Sequence, residues 1–428
     1  MVADVASFYL LFTLVSLAAY GLVAHEQTDA AQRAGRVYMV LALLGEAVLL
    51  LGLVMLAASS PQPNPLIRDA VALLPGSPYR DPAIALLILG FALKMGLVPL
   101  HVWLPLAHPA APMPASAVLS GVVVKAGVIG MIRFMPLETG LPGWGVALAT
   151  VGILTAYAGA AIGVTQRRPK TILAYSTVSQ MGLVAAILGA GLAAGNAESA
   201  GLAAYYGLHH TLVKGALFLG VGVAFASGGA SRWPVLLVLA LLALSLAGLP
   251  LTSGALAKLA VKPMLGYGAL SVAVTLAAVG STMLMLHFLA VMARETAARP
   301  ASIAPRGERV AWLVVTLSAL IMPWWLYDSV ADAQAAAAWS AGALWKLIWP
   351  MLLGAIIFMG ARLFSSLAGA VPEGDVLVLA ERQSGRLARL HAAIARLDAG
   401  LRRWPVAGLA LLTLSALLGA GFLLAAAP

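Results

Sequence analysis

Six ionisable side chains lie inside apolar runs, and their types suit them to passing protons. Glu46 lies in LALLGEAVLLL, Lys94 in LILGFALKMGL and Lys125 in SGVVVKAGVIG. His210 and Lys214 lie in YYGLHHTLVKGALFLG, and Lys258 in LAGLPLTSGALAKLAVKP. A lysine kept from bulk water exchanges its proton more readily than a solvated one, and histidine titrates near neutrality unaided. Amines and imidazoles on separate helices, bridged by water, are what a proton path through hydrocarbon requires. His210 stands four residues before Lys214 and shares its helix face, whereas His209 points elsewhere and reads as a packed imidazole. Lys262, beside Pro263, reads as a snorkelling lysine near a helix end. Glu46 reads either as a plain counter-charge to a neighbouring lysine or as part of the path.

Competing chemistries lack their residues. There is no cysteine, which excludes disulfides, thiol catalysis and iron–sulfur ligation within the chain. No phosphate loop, metal-ligand cluster or nucleophile–base pair is legible, so neither a metal nor a cofactor is expected. Glycines such as those in LGVGVAFASGG read as helix-packing residues.

The elements that must position these groups are membrane helices. Of 428 residues, 62% are hydrophobic and 10% charged, against roughly 25% charged in a soluble domain. The balance predicts an all-α polytopic membrane protein in a bacterial-type inner membrane. MVADVASFYLL carries an acid where a signal peptide has a basic region, and no cleavage site follows. With about 20 apolar residues per span, about twelve spans are expected: 5–24, 37–59, 83–100, 115–135, 143–163, 171–192, 200–226, 234–252, 268–296, 308–327, 340–366 and 405–426. The net charge of +10 follows short loops, TQRRPK above all, which places that loop in the cytoplasm and speaks against nucleic-acid binding. Residues 377–404 place Leu387, Leu390, Ile394 and Leu397 at helical spacing among arginines, an amphipathic helix for the membrane surface or neighbouring subunits.

Two spans are interrupted. Pro99 and Pro105 follow Lys94, and Pro250 precedes Lys258. Broken backbone at membrane depth is tolerated where it faces protein or a water-filled cavity. Paired discontinuous helices point to a transport site.

LKMGLVPLHVWLPLAHPAAPMPASAVLSGVVVKAG resembles the signature of the antiporter-like subunits of respiratory complex I (NADH-quinone oxidoreductase), of Mrp-type cation/proton antiporters and of energy-converting hydrogenases. KTILAYSTVSQMG, HHTLVKGALFLGVG and GLPLTSGALAK resemble later blocks of that family, and the likeness spans about residues 5–330. The resemblance implies two inverted repeats, each with a broken helix, around a polar axis. It suggests a first, incomplete repeat over 1–135, a second over 136–300, and C-terminal spans with a lateral helix over 301–428. By position, Lys94 is similar to the central lysine of the first broken helix and Lys125 to the connecting lysine. His210 and Lys214 are similar to the second repeat's pair, and Lys258 to the terminal lysine.

Two departures accompany the resemblance. The chain is similar to the family from its fifth helix onward, which implies a partner supplying the earlier helices. Thr13 also stands where the family carries the glutamate that partners the broken-helix lysine, and Glu46 is the candidate substitute.

The expected function is translocation of protons or Na⁺ along Glu46, Lys94, Lys125, His210, Lys214 and Lys258, within a larger complex of membrane subunits. The chain itself would make no bonds. The competing readings are a non-pumping scaffold and an ion-coupling subunit of an inorganic-carbon uptake complex; a solitary antiporter fits least.

Overall fold

The computed structural model describes residues 3–363 apart from 63, 267, 301 and 332–334, together with 371–372 and 377–378. The chain divides into two compact units, Met1–Gly374 and Asp375–Pro428. The amphipathic segment 377–404, beyond its first two residues, and the expected span 405–426 lie outside the described residues.

The first unit is helical, and eleven of its helical stretches are long and apolar enough to cross a membrane. α1 (Val5–Ala24) and α2 (Asp29–Ala57) form a hairpin. The side chains of Asp4 and Thr28 cap them, accepting from the N–H groups of Ser7 at 2.8 Å and Ala31 at 3.1 Å, which satisfies donors that a helix start leaves open. The short α3 (Ile67–Leu73) leads to the first broken span, α4 (Arg80–Met95) and α5 (Trp103–Ala110), joined through a 3₁₀ turn at Leu100–Val102. α6 (Met113–Val118) and α7 (Val124–Phe134) make one span with a π turn, Leu119–Val123, at its centre.

Three unbroken helices follow: α8 (Pro142–Gly163), α9 (Pro169–Ala194) and α10 (Glu198–Phe225). The second broken span is α11 (Arg232–Ala247) with α12 (Ser253–Leu265). α13 (Ala269–Ala297), α14 (Arg306–Val330) and α15 (Ala341–Leu363) complete the unit. The first broken span extends to Ala110, beyond the expected 83–100. Pro105 falls in the first turn of α5, where a helix has no use for the missing N–H, so the prolines reset the helix rather than end it.

Both breaks are built the same way. α4 stops at Gly96 (φ 72°) and α11 at Gly248 (φ 106°). At each, the glycine N–H returns to a carbonyl three residues back, Leu93 and Ser245, and the next N–H, of Leu97 or Leu249, reaches five back, to Ala92 or Leu244. This is the Schellman stop, which needs the left-handed backbone that glycine adopts without strain.

The most buried span is α9, and α8 lies against it at backbone distance. Gly145, Gly152 and Gly159, seven residues apart on α8, line one stripe against α9, where Gly145 meets Gly189, Gly152 meets Gly182 and Gly159 meets Ser179. A Cβ on Gly152 would stand 2.6 Å from the amide nitrogen of Ala186, and one on Gly189 2.4 Å from that of Ala149. Membrane helices associate by such close packing because lipid offers no hydrophobic drive between them.

Gly152→Leu and Gly189→Leu, whose added carbons meet backbone that cannot move aside, should each destabilise the detergent-solubilised protein by about 1–3 kcal/mol or more. Gly201→Ala, whose Cβ meets nothing within 4 Å, should leave the melting midpoint unchanged or slightly raised. Equal midpoints for all three would refute the α8–α9 contact.

Candidate functional site

The first broken helix carries its lysine in its last turn. Lys94 is buried at 3% exposure, and its Nζ reaches into the space between α1 and α2. There it donates to Ser16 Oγ of α1, stands 3.7 Å from Glu46 Oε1 of α2, and lies 4.8 Å from the centre of the Phe12 ring. Glu46 is 4% exposed, and its Oε1 accepts no hydrogen bond. The hydroxyl of Thr13, one turn before Ser16, is likewise buried without a partner. The hydroxyl on α1 that meets the lysine is therefore that of Ser16, and the carboxylate beside it comes from α2.

The free ends of the same break are met by side chains. The indole Nε1 of Trp103 donates to the Leu93 carbonyl at 3.0 Å, and the amide of Val98 donates to Thr155 Oγ1 of α8 at 3.1 Å. Where α5 ends, Lys170 Nζ donates to the Ala111 carbonyl and Ser116 Oγ donates to that of His108. A backbone group left bare at this depth would lose several kcal/mol, and these contacts supply partners where the helical ladder stops.

The second group gathers on α7, α9 and α10. Lys125 Nζ donates to the Ser120 carbonyl inside the π turn at 2.7 Å and meets His210 Nδ1 at 2.5 Å. The other ring nitrogen of His210 is buried with no hydrogen bond. One turn further along α10, Lys214 donates to the Leu173 carbonyl at 2.7 Å and to Ser176 Oγ, both on α9. Ser120 Oγ and Thr177 Oγ1, 2.8 Å apart, link the π turn to the same stretch of α9.

The third group is the second break. Lys258 Nζ of α12 donates to the carbonyl of Ala247, the last residue of α11. His209, read from the sequence as a packed imidazole, faces this break: its Nδ1 is 3.1 Å from Ser253 Oγ, which is 3.3 Å from Ser245 Oγ. Adjacent residues of α10 thus address two groups, His210 the Lys125 amine and His209 the broken helix.

Glu46 and Lys94 are brought together, as are Lys125 and His210. His210 and Lys214 share one face of α10, while Lys258 stands apart at the second break and Lys262 turns toward the carbonyl of Lys346, 3.4 Å away. Pro99, Pro105 and Pro250 all lie at the breaks. Sequence reading passed over Ser16, Ser120 and Ser176, whose hydroxyls or carbonyls solvate the lysines. It also passed over His108, a fully buried imidazole in α5 stacked 4.7 Å from the Phe218 ring; its place between Pro105 and Pro109 was the available signal. Among the described residues, no group of three or more His, Asp or Glu could hold a metal ion.

The family model described as NADH:quinone oxidoreductase/Mrp antiporter, TM matches residues 2–286. Hydrogenase-4 component B of Escherichia coli (strain K12) is 33% identical over 226 residues, which cover 50% of this chain and 33% of that protein. In three dimensions the chain resembles one in the structure of the Mrp complex from Dietzia sp. DQ12-45-1b, with a TM-score of 0.72 and 21% identity, over 100% of this chain and 50% of that one. It also resembles a chain of the membrane-bound sulfane sulfur reductase, an archaeal respiratory membrane complex, with a TM-score of 0.66 and 20% identity, over 84% and 74% of the two chains. The two structures support the fold, and the family model covers more than half of the sequence, including both broken helices: the chain is an antiporter-like membrane protein of the NADH:quinone oxidoreductase/Mrp antiporter family.

Proposed function

We propose that this chain translocates protons, with Na⁺ as the competing ion, as one membrane subunit of a larger complex. The observation that carries the reading is the Glu46–Lys94 pair, a carboxylate and an ammonium buried together at the end of a broken helix. Two unit charges about 4 Å apart interact by about 4 kcal/mol at an effective dielectric of 20. Separating or neutralising one partner therefore changes the other's hold on a proton by a mechanistically useful amount. Glu46 modulates Lys94; Lys125 is the link; His210 and Lys214 form the second half-site; Lys258 is the terminal gate. His209, through Ser253 and Ser245, ties the link to the second break. The matching Schellman stops support two related halves, 1–135 and 136–300, followed by a C-terminal portion, 301–428.

A scaffold that merely inherited its lysines is the reading to beat. An apolar wall between Glu46 and Lys94 would favour it, and their 3.7 Å approach favours transport instead. The experiment is ion uptake by the assembled complex in liposomes, read with a pH dye and with Na⁺ present or replaced. Lys94→Ala and Glu46→Gln should each slow uptake by about tenfold or more while leaving assembly intact. Wild-type rates from both variants would leave the scaffold. Uptake that persists without Na⁺ assigns protons; uptake that requires it assigns Na⁺.

His209→Asn keeps a polar group near Ser253 but cannot carry a proton at neutral pH, and should lower the same rate by about tenfold. An unchanged rate would return His209 to a packing role.

A further inference from the structure

At the last lysine of the path, a cavity beside the second break is lined, among the described residues, by three amines and no acid. Lys258 of α12, Lys262 of α12 and Lys346 of α15 face it, over an apolar floor that includes Leu183, Ile187 and Val274. It continues into a wider opening shared by Lys262 and Lys346 with Ser271, Thr275 and Trp349. Among the described residues, no carboxylate lines either space, and none of the three lysines makes an ion pair. Among the described residues, the polar contacts of these amines are with backbone carbonyls, Ala247 for Lys258 and Lys346 for Lys262.

Three cations held close over apolar surface repel one another, and an anion among them removes that repulsion. The opening also lies at the first turns of α13 and α15, where Ser271, Gly342 and Ala343 line it. Helix starts add a positive potential and open N–H groups. Trp345 is exposed and Trp349 half-buried beside it. Tryptophan at a helix end marks the headgroup level of a bilayer. By the alternation of spans, this is the side opposite TQRRPK.

We propose that this cavity binds an anionic phospholipid, the phosphate between Lys262 and Lys346 and an acyl chain along the apolar floor. A free phosphate would use the amines but leave the floor uncovered, so the amphiphile fits both halves of the lining. The proposal does not depend on ion translocation.

The test uses the full-length chain in nanodiscs of phosphatidylcholine with or without phosphatidylglycerol, followed by detergent washing and mass spectrometry of the retained lipid. The wild type should keep phosphatidylglycerol over phosphatidylcholine. Lys262→Gln with Lys346→Gln should weaken that retention by about tenfold or more, and Lys262→Arg with Lys346→Arg should preserve it. Equal retention of both lipids by the wild type, or undiminished retention by the Gln pair, would overturn the proposal. So would displacement of phosphatidylglycerol by inorganic phosphate alone, which would make the site one for a small anion. If the Gln pair fails to fold, the wild-type lipid preference and its survival in the Arg pair decide the matter.

Discussion

A backbone carbonyl or an ammonium without a partner in hydrocarbon loses several kcal/mol, and this fold is arranged around meeting that demand at two broken helices. The demands answer one another. At the break after Met95, the indole of Trp103 gives the Leu93 carbonyl a second donor beside the Gly96 amide. The break after Ala247 frees a carbonyl, and the amine of Lys258 takes it. At the end of α5, Lys170 does the same for Ala111. A lysine and a helix end are each unfavourable alone at this depth, and each supplies what the other lacks.

Such pairing works only if the partners are held in register, and α9 holds them. Its neighbours include α5, α8, α10, α12 and α13, and glycines let α8 approach it backbone to backbone. The rigid column then presents the Leu173 carbonyl and Ser176 to Lys214, and Thr177 to the π turn beside Lys125. A side chain added to the glycine stripe would displace these acceptors along with the helix. Close packing and the solvation of buried lysines thus meet on one helix, α9.

Much of this was legible in the sequence. Charges in apolar runs and prolines in spans mark themselves, so Glu46, Lys94 and both breaks could be found by composition, and spacing put His210 with Lys214. The solvating groups could not be found that way. A serine in a membrane helix ordinarily bonds its own preceding turn, and Ser16 shows no local sign that it meets a lysine 78 residues away. The π turn that offers the Ser120 carbonyl to Lys125 has no residue signature comparable to proline or glycine. What His209 meets could not be read, because a helix face acquires meaning only from what packs on it, and α12 brings Ser253 there.

The inventory of buried charge also separates the three sites by kind. Glu46 is the one buried carboxylate among the described residues, whereas Lys94, Lys125 and Lys214 are all buried. Among the described residues, a buried carboxylate therefore faces a buried lysine only at Lys94. Lys125, Lys214 and Lys258 are solvated by carbonyls and hydroxyls, whose dipoles are fixed and do not titrate. A proton can leave such an amine only toward a neighbour able to accept it, and for Lys125 that neighbour is His210 at 2.5 Å. Under the proposed function, the first site would sense an electrostatic change and the second would pass a proton once that change has occurred. Under that reading, the difference between the sites rests on the one buried acid among the described residues, which stands on α2 rather than at Thr13 of α1.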